Sequence, residues 1–266
     1  MSAASTGTRQ AFLGAAVLAA LAAGLTFFSG QPWAMALALG LNLASTAFVV
    51  GAISRALTGS ATGFARGGLN RYSLSRLQMG VWTVAVVAIL VTVAEWNLLA
   101  QRSAGVLNIQ VPGALLAALG ISLGSGVAAP AIVALRAASS APATEGQVAA
   151  ATERSTALTG HAALLVPQGQ IVGNANAAGA SWTDLFTGDD VANAGSVDLS
   201  KLQQALLTVI IVAAYLGSVL PLFAGSGAVN ALPPMSEEMT LLLAISHAGY
   251  LAYKAVPKPD AAGGPR

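Results

Sequence analysis

Six stretches of the chain are apolar almost without interruption, and the residues between them are small, polar or charged. The stretches cover residues 11–28, 33–53, 77–99, 112–135, 202–223 and 239–256. A helix needs about 20 apolar residues to cross a hydrocarbon layer about 30 Å thick. Each stretch approaches that length, the first and last being the shortest. Continuous runs predict helices, because a segment in lipid must satisfy its own backbone polar groups. A membrane barrel would instead show short strands of alternating polarity. The pattern predicts an all-α membrane protein with about six transmembrane helices. Arg9 ahead of a short apolar core with small residues also fits a cleaved signal peptide; a retained first helix is the expectation.

Composition sharpens this. Of 266 residues 55% are hydrophobic and only 8% charged, against about 25% charged in soluble domains; the mean hydropathy is +0.71. The net charge of +2 is too small to point to nucleic acid. There is no cysteine, which excludes disulfides, thiolate catalysis and cysteine metal sites.

The placement of the charges says more than their sum. With six spans, one side carries Arg9, Arg55, Arg66, Arg71, Arg76, Arg136, Arg154, Lys201, Lys254, Lys258 and Arg266, and the other only Arg102. Basic residues mark cytoplasmic loops, so both termini are expected in the cytoplasm. Trp33 and Trp96 then fall near the outer interface, where aromatic belts lie.

The chain also repeats itself. Ser73-Leu74-Ser75-Arg76-Leu77-Gln78 matches Asp198-Leu199-Ser200-Lys201-Leu202-Gln203 at an offset of 125, and Thr83 falls on Thr208. Leu119-Gly120-Ile121-Ser122 matches Leu243-Ala244-Ile245-Ser246 at an offset of 124. Both copies start on the same side, which predicts a parallel repeat of a two-helix hairpin about an axis along the membrane normal. It comprises helices 3–4 and 5–6, with a weaker third copy over helices 1–2 around residues 39–45. The expected segments are an N-terminal hairpin (1–57), a first repeat hairpin with its cytoplasmic lead-in (58–136), a cytoplasmic loop that is partly flexible (137–197), a second repeat hairpin (198–257) and a cytoplasmic tail (258–266).

Each repeated start reads as a helix N-cap followed by a cation poorly placed against the helix dipole. Snorkelling and anionic lipid would compensate, so Arg76, Lys201, Gln78 and Gln203 are expected at the lipid interface, with the glutamines able to bond a neighbouring helix. At membrane depth the polar candidates are His247, Asn42, Ser122 and Ser246. His247 fits either a structurally satisfied imidazole or a proton or ion role. Gly120, Gly124, Ser122 and Gly126 form a close-packing face, and Pro130 is expected to kink the fourth helix.

In the long loop, residues 139–152 are small and polar and are expected to be flexible. Trp182, Leu185 and Phe186, at i, i+3 and i+4, share a face of a helical turn and are the candidate partner-docking residues. Asp184, Asp189 and Asp190 invite a cation, but no Asp-x-Asp-x-Asp-Gly loop is present and Gly188-Asp189-Asp190 fits an exposed turn. No metal and no cofactor are expected. His161 stands alone in the loop, and no nucleophile triad, phosphate loop or zinc-peptidase spacing is present.

The repeated start with Trp82, then Trp182-Thr183-Asp184-Leu185-Phe186, Val197–Gln203, and the run Ile245-Ser246-His247-Ala248-Gly249-Tyr250-Leu251-Ala252-Tyr253-Lys254, together resemble a group of uncharacterised bacterial multi-pass inner-membrane proteins. The resemblance covers residues 73–257. It implies a bacterial inner-membrane address and supplies neither an activity nor site residues.

These readings converge on a non-enzymatic membrane protein whose partners are the lipid bilayer, further copies of itself in a homo-oligomer, and a soluble protein at the 137–197 loop. The first expectation is an oligomeric channel or pore subunit. The alternatives are an anchor or scaffold for a soluble partner, and a small transporter with His247 and Asn42 at a midplane site.

Overall fold

A computed structural model describes residues 3–28, 31–100, 105–160, 164–225 and 227–258. Seven α-helices account for most of the described residues: α1 (Ala3–Leu25), α2 (Pro32–Thr58), α3 (Leu74–Glu95), α4 (Gly113–Ser139), α5 (Glu145–Thr159), α6 (Leu199–Val219) and α7 (Glu237–Ala255). One antiparallel hairpin joins β1 (Leu165–Gln168) to β2 (Ile171–Asn174), with Leu165 opposite Asn174 and Gln168 opposite Ile171. Five helices are long and apolar enough to cross a membrane: Thr6–Phe28, Trp33–Thr58, Leu74–Leu99, Gly113–Ser139 and Leu199–Ala224. α7, with 19 residues, is not among them; Glu237, Glu238, Ser246, His247 and Lys254 dilute its apolar content.

The described residues fall into two compact units. One takes Met1–Phe64, Gly80–Leu119 and Val209–Thr240, the other Ala65–Met79, Gly120–Thr208 and Leu241–Arg266.

In the first unit α1 packs on α2 through small side chains. Ala15, Ala22, Ala34 and Ala38 are all buried, which lets the backbones approach as they do in membrane helix pairs. Ser45 donates to the Ala15 carbonyl at 2.9 Å. α2 stops at Gly59, whose left-handed backbone (φ 77°) directs its amide to the Arg55 carbonyl, the usual glycine C-cap. Phe64 lies so close over Gly80 that a Cβ there would stand 2.5 Å from its ring. Past α3 the helix widens into a π turn, Trp96–Ala100. Asn97 clasps Val229 from both sides, accepting from its amide at 2.8 Å and donating to its carbonyl at 3.0 Å. The Trp96 indole donates to the Gly227 carbonyl.

In the second unit, α4 runs unbroken through Pro130. The segment between α4 and α6, expected to be partly flexible, holds α5, the β1–β2 hairpin and two short 3₁₀ turns among its described residues. α5 begins in the stretch expected to be flexible, because Thr144 and Gln147 form a reciprocal capping box that satisfies its first amides. Ala151 of α5, Leu165, Val172, Val191 and Ala194 form a small apolar core. The chain turns between β1 and β2 at Gly169 (φ 62°). A second capping box, Ser181 with Asp184, starts a 3₁₀ turn over Trp182–Leu185. His161 lies outside the described residues.

Candidate functional site

The second unit gathers charged groups that lie far apart in sequence. Arg71 precedes α3 in a loop closed by the Gly67 amide on the Arg71 carbonyl at 2.8 Å and the Ser73 amide on the Ala65 carbonyl at 2.8 Å. Its guanidinium donates from Nε to Asp184 Oδ1 at 3.1 Å, from Nη1 to the Gly188 carbonyl at 2.7 Å, and from Nη2 to Thr187 Oγ1 at 2.6 Å. Asp184 Oδ2 also accepts the backbone amides of Tyr72 and Ser181. Lys201, in the first turn of α6, donates to the Thr187 carbonyl at 2.6 Å, to Asp189 Oδ1 at 2.9 Å and to the Asp184 carbonyl at 3.3 Å. Lys254, in the last turn of α7, bonds the other oxygen of Asp189. Arg136, near the end of α4, grips both oxygens of Asp190 and donates to the Lys254 carbonyl.

Four cations thus interleave with three carboxylates, largely out of water. Burial by itself would raise the Asp189 carboxyl, but the attraction of Lys201, Lys254 and Arg71 prevails and holds it well below the usual carboxylate range. It is ionised at any physiological pH. The three carboxylates are therefore engaged by cations of the protein, and among the described residues no group of three or more acidic or histidine side chains is arranged to hold a metal.

Beside the network is a cavity of about 340 Å³. Arg71, Arg76, Lys201, Lys254 and Asp189 contribute its charged lining, Ser73 and Leu74 mark the start of α3, and Ala129, Pro130 and Val133 give it an apolar wall from α4.

The sequence-predicted residues are distributed unevenly over this geometry. Lys201, expected among lipid headgroups, is 3% exposed and bound within the network; three oxygens of the 184–189 segment saturate its ammonium, so it does not snorkel. Arg76 is half-buried, with Nη1 donating to the Arg66 carbonyl at 3.0 Å. Gln78 is buried rather than interfacial, and donates to Thr208 Oγ1 at 2.7 Å and the Gln204 carbonyl at 3.2 Å, tying α3 to α6. Gln203 is exposed; its neighbour Gln204 is the residue turned inward. Trp182 is 51% exposed and stacks on Tyr72 with ring centroids 4.6 Å apart. Leu185 is buried and Phe186 half-buried, so the three do not form one exposed face: a 3₁₀ turn sends Leu185 into the interior.

His247 is 2% exposed, and neither ring nitrogen has a hydrogen-bond partner among the described residues. The same holds for the hydroxyls of Ser122, Ser125 and Ser246, for both amide atoms of Gln204 and for the Gln78 carbonyl. These buried polar groups come from α3, α4, α6 and α7, all within the second unit. In the first unit, Asn42 donates to Thr92 Oγ1 at 3.0 Å and Glu95 Oε2 at 2.7 Å. Sequence reasoning missed Asp189 as the carboxylate partner of Lys201, and Arg71 and Lys254 as the other cations that converge on it. The available signal was three aspartates in a loop on the basic side of the chain.

The fold therefore defines a mostly helical protein with helices suited to a bilayer, carrying a folded polar segment. No protein-family model matches the chain, and neither does any curated protein or solved structure.

Proposed function

We propose that the protein is a non-enzymatic scaffold of the bacterial inner membrane, in which the folded segment 140–198 is a platform that holds a soluble partner. The observation that carries this reading is the buried network joining that segment to the ends of membrane helices. A mere connector needs neither a capping box, a small core nor three aspartates engaged by four cations. Trp182, half-exposed and stacked on Tyr72, gives the platform a rigid aromatic contact of the kind that dominates protein interfaces.

The wider reading is of six spans with both termini cytoplasmic, arranged as two parallel hairpin repeats in a homo-oligomer. α7 supplies the sixth span. The repeat is supported by helix starts at Leu74 and Leu199, 125 residues apart, and at Gly113 and Glu237, 124 apart. Gly120 and Gly124 face open space, which leaves a small-residue seam for a second copy. The address rests on the basic-residue asymmetry and on the resemblance to bacterial inner-membrane proteins.

Purified full-length protein in liposomes tests the scaffold. No ion or solute flux above protein-free vesicles is expected, together with a platform that resists protease on the basic side. Flux would overturn the scaffold in favour of a pore or transporter. One observation favours that second reading: the unpartnered polar groups of Gln78, Ser122, Gln204, Ser246 and His247, since such groups mark solute or proton paths in membrane proteins. Loss of flux in His247→Phe would then place the path there.

A further inference from the structure

The cavity beside the ion-pair network is not electrically balanced. Four of its lining side chains are cationic, Arg71, Arg76, Lys201 and Lys254, and one is anionic, Asp189. Asp184, paired with Arg71, offsets one more charge, which leaves two positive charges beside a partly open cavity. Its volume of about 340 Å³ lies within the range of small-molecule sites. We propose that this cavity binds a phosphate-bearing anion, a chemistry shared by the headgroup of an anionic phospholipid and by a soluble phosphate.

Three features support a phosphate there. Every nitrogen of the Arg71 guanidinium and all three donors of the Lys201 ammonium engage protein oxygens, so these residues supply chiefly field rather than contact. Arg76 bonds only through Nη1, to the Arg66 carbonyl, and its Nε and Nη2 have no hydrogen-bond partner among the described residues. Guanidinium groups match phosphate oxygens in paired fashion.

The second feature is the start of α3. The first amides of a helix have no acceptor within it and favour anions. At α6 the chain provides that anion itself: Asp198 accepts the amides of Ser200 at 3.0 Å and Lys201 at 3.2 Å. At α3 the corresponding position is the neutral Ser73, which lines the cavity with Leu74. The third feature is the wall of Ala129, Pro130 and Val133, which belongs to a helix suited to a bilayer and gives a lipid glycerol or acyl stem an apolar surface.

The test uses the full-length purified protein. Its thermal midpoint is followed against inorganic phosphate in neutral detergent, and separately in phosphatidylcholine nanodiscs with and without phosphatidic acid. A rise in midpoint with phosphatidic acid alone supports the site with lipid as its source; a rise with both supports the site with the anion as the sufficient feature. Arg76→Gln, outside the carboxylate pairs, should weaken half-saturation about tenfold, the scale of one charge-assisted hydrogen bond. Val133→Phe, which fills the cavity from its apolar side, should abolish the response. No response to either anion, or a response equal to wild type in both variants, would overturn the proposal.

Discussion

The first unit holds Glu95 among apolar helices with the neutral amide of Asn42, whereas the second surrounds three aspartates with two arginines and two lysines. The two devices answer the same problem, a carboxylate partly withdrawn from water, with different consequences. A side-chain hydrogen bond between membrane helices contributes about 0.6–2 kcal/mol, and deleting its amide donor removes no charge from the protein. A buried ion network is coded by sign, and deletion of one member strands the others. The first unit should therefore weaken in proportion to what is removed, and the second should fail abruptly.

The largest effect is expected at Asp189, where Lys201 and Lys254 converge. Asp189→Ala leaves these cations and Arg71 facing one another and should cost about 3–5 kcal/mol, read as a drop in the thermal midpoint of the purified protein and protease cleavage within 140–198. Adding Lys254→Met to that variant should recover part of the loss, because it removes one stranded charge. If Asp189→Ala is as mild as a surface change, the contrast between the units fails.

Acid probes the same residue without mutation. The folded value of Asp189 is depressed, so its contribution is complete above the unfolded aspartate value of about 3.9 and drains away as pH falls through the folded value. Protease resistance of 140–198 should thus hold from neutrality to about pH 4 and be lost only below it. A loss beginning near pH 6 would mean that Asp189 is not held by its cations.

What the sequence reveals of this molecule follows the range of the forces involved. Hydrophobic continuity is local, and the apolar runs beginning at 77, 112, 202 and 239 fall within three residues of the observed helix starts. The fold of residues 140–160 and 164–198 is less visible because it rests on contacts such as Arg71 to Asp184, 113 residues apart, which no window detects. Composition pointed to flexibility there, although Thr144-x-x-Gln147 was already a legible helix start. Lys201 lies in the network and not among headgroups, a difference hidden from the sequence because a lysine in the first turn of an apolar helix looks the same whether it meets lipid or an aspartate. The network's members were all visible as charges; their pairing was not.

Asn42→Ala tests the milder side of the contrast. It removes the donors to Thr92 and Glu95 and should cost about 1 kcal/mol, with no change in protease resistance of the platform. A cost approaching that of Asp189→Ala would show that Glu95 depends on Asn42 as strictly as the second unit's aspartates depend on their cations.

The smallest effects separate two glutamines that occupy the same place in the sequence repeat. Gln78 is buried and donates to α6, so Gln78→Ala should cost about 1 kcal/mol for the hydrogen bonds it gives up. Gln203 is exposed, and Gln203→Ala should stay within about 0.5 kcal/mol of wild type. The difference arises because successive residues on a helix point about 100° apart, so on α6 the inward position passes to Gln204. Equal losses at Gln78 and Gln203, measured as thermal midpoints of the two purified variants, would mean that both helices present the same face inward and that the first turn of α6 is rotated from the orientation that brings Lys201 to Asp189.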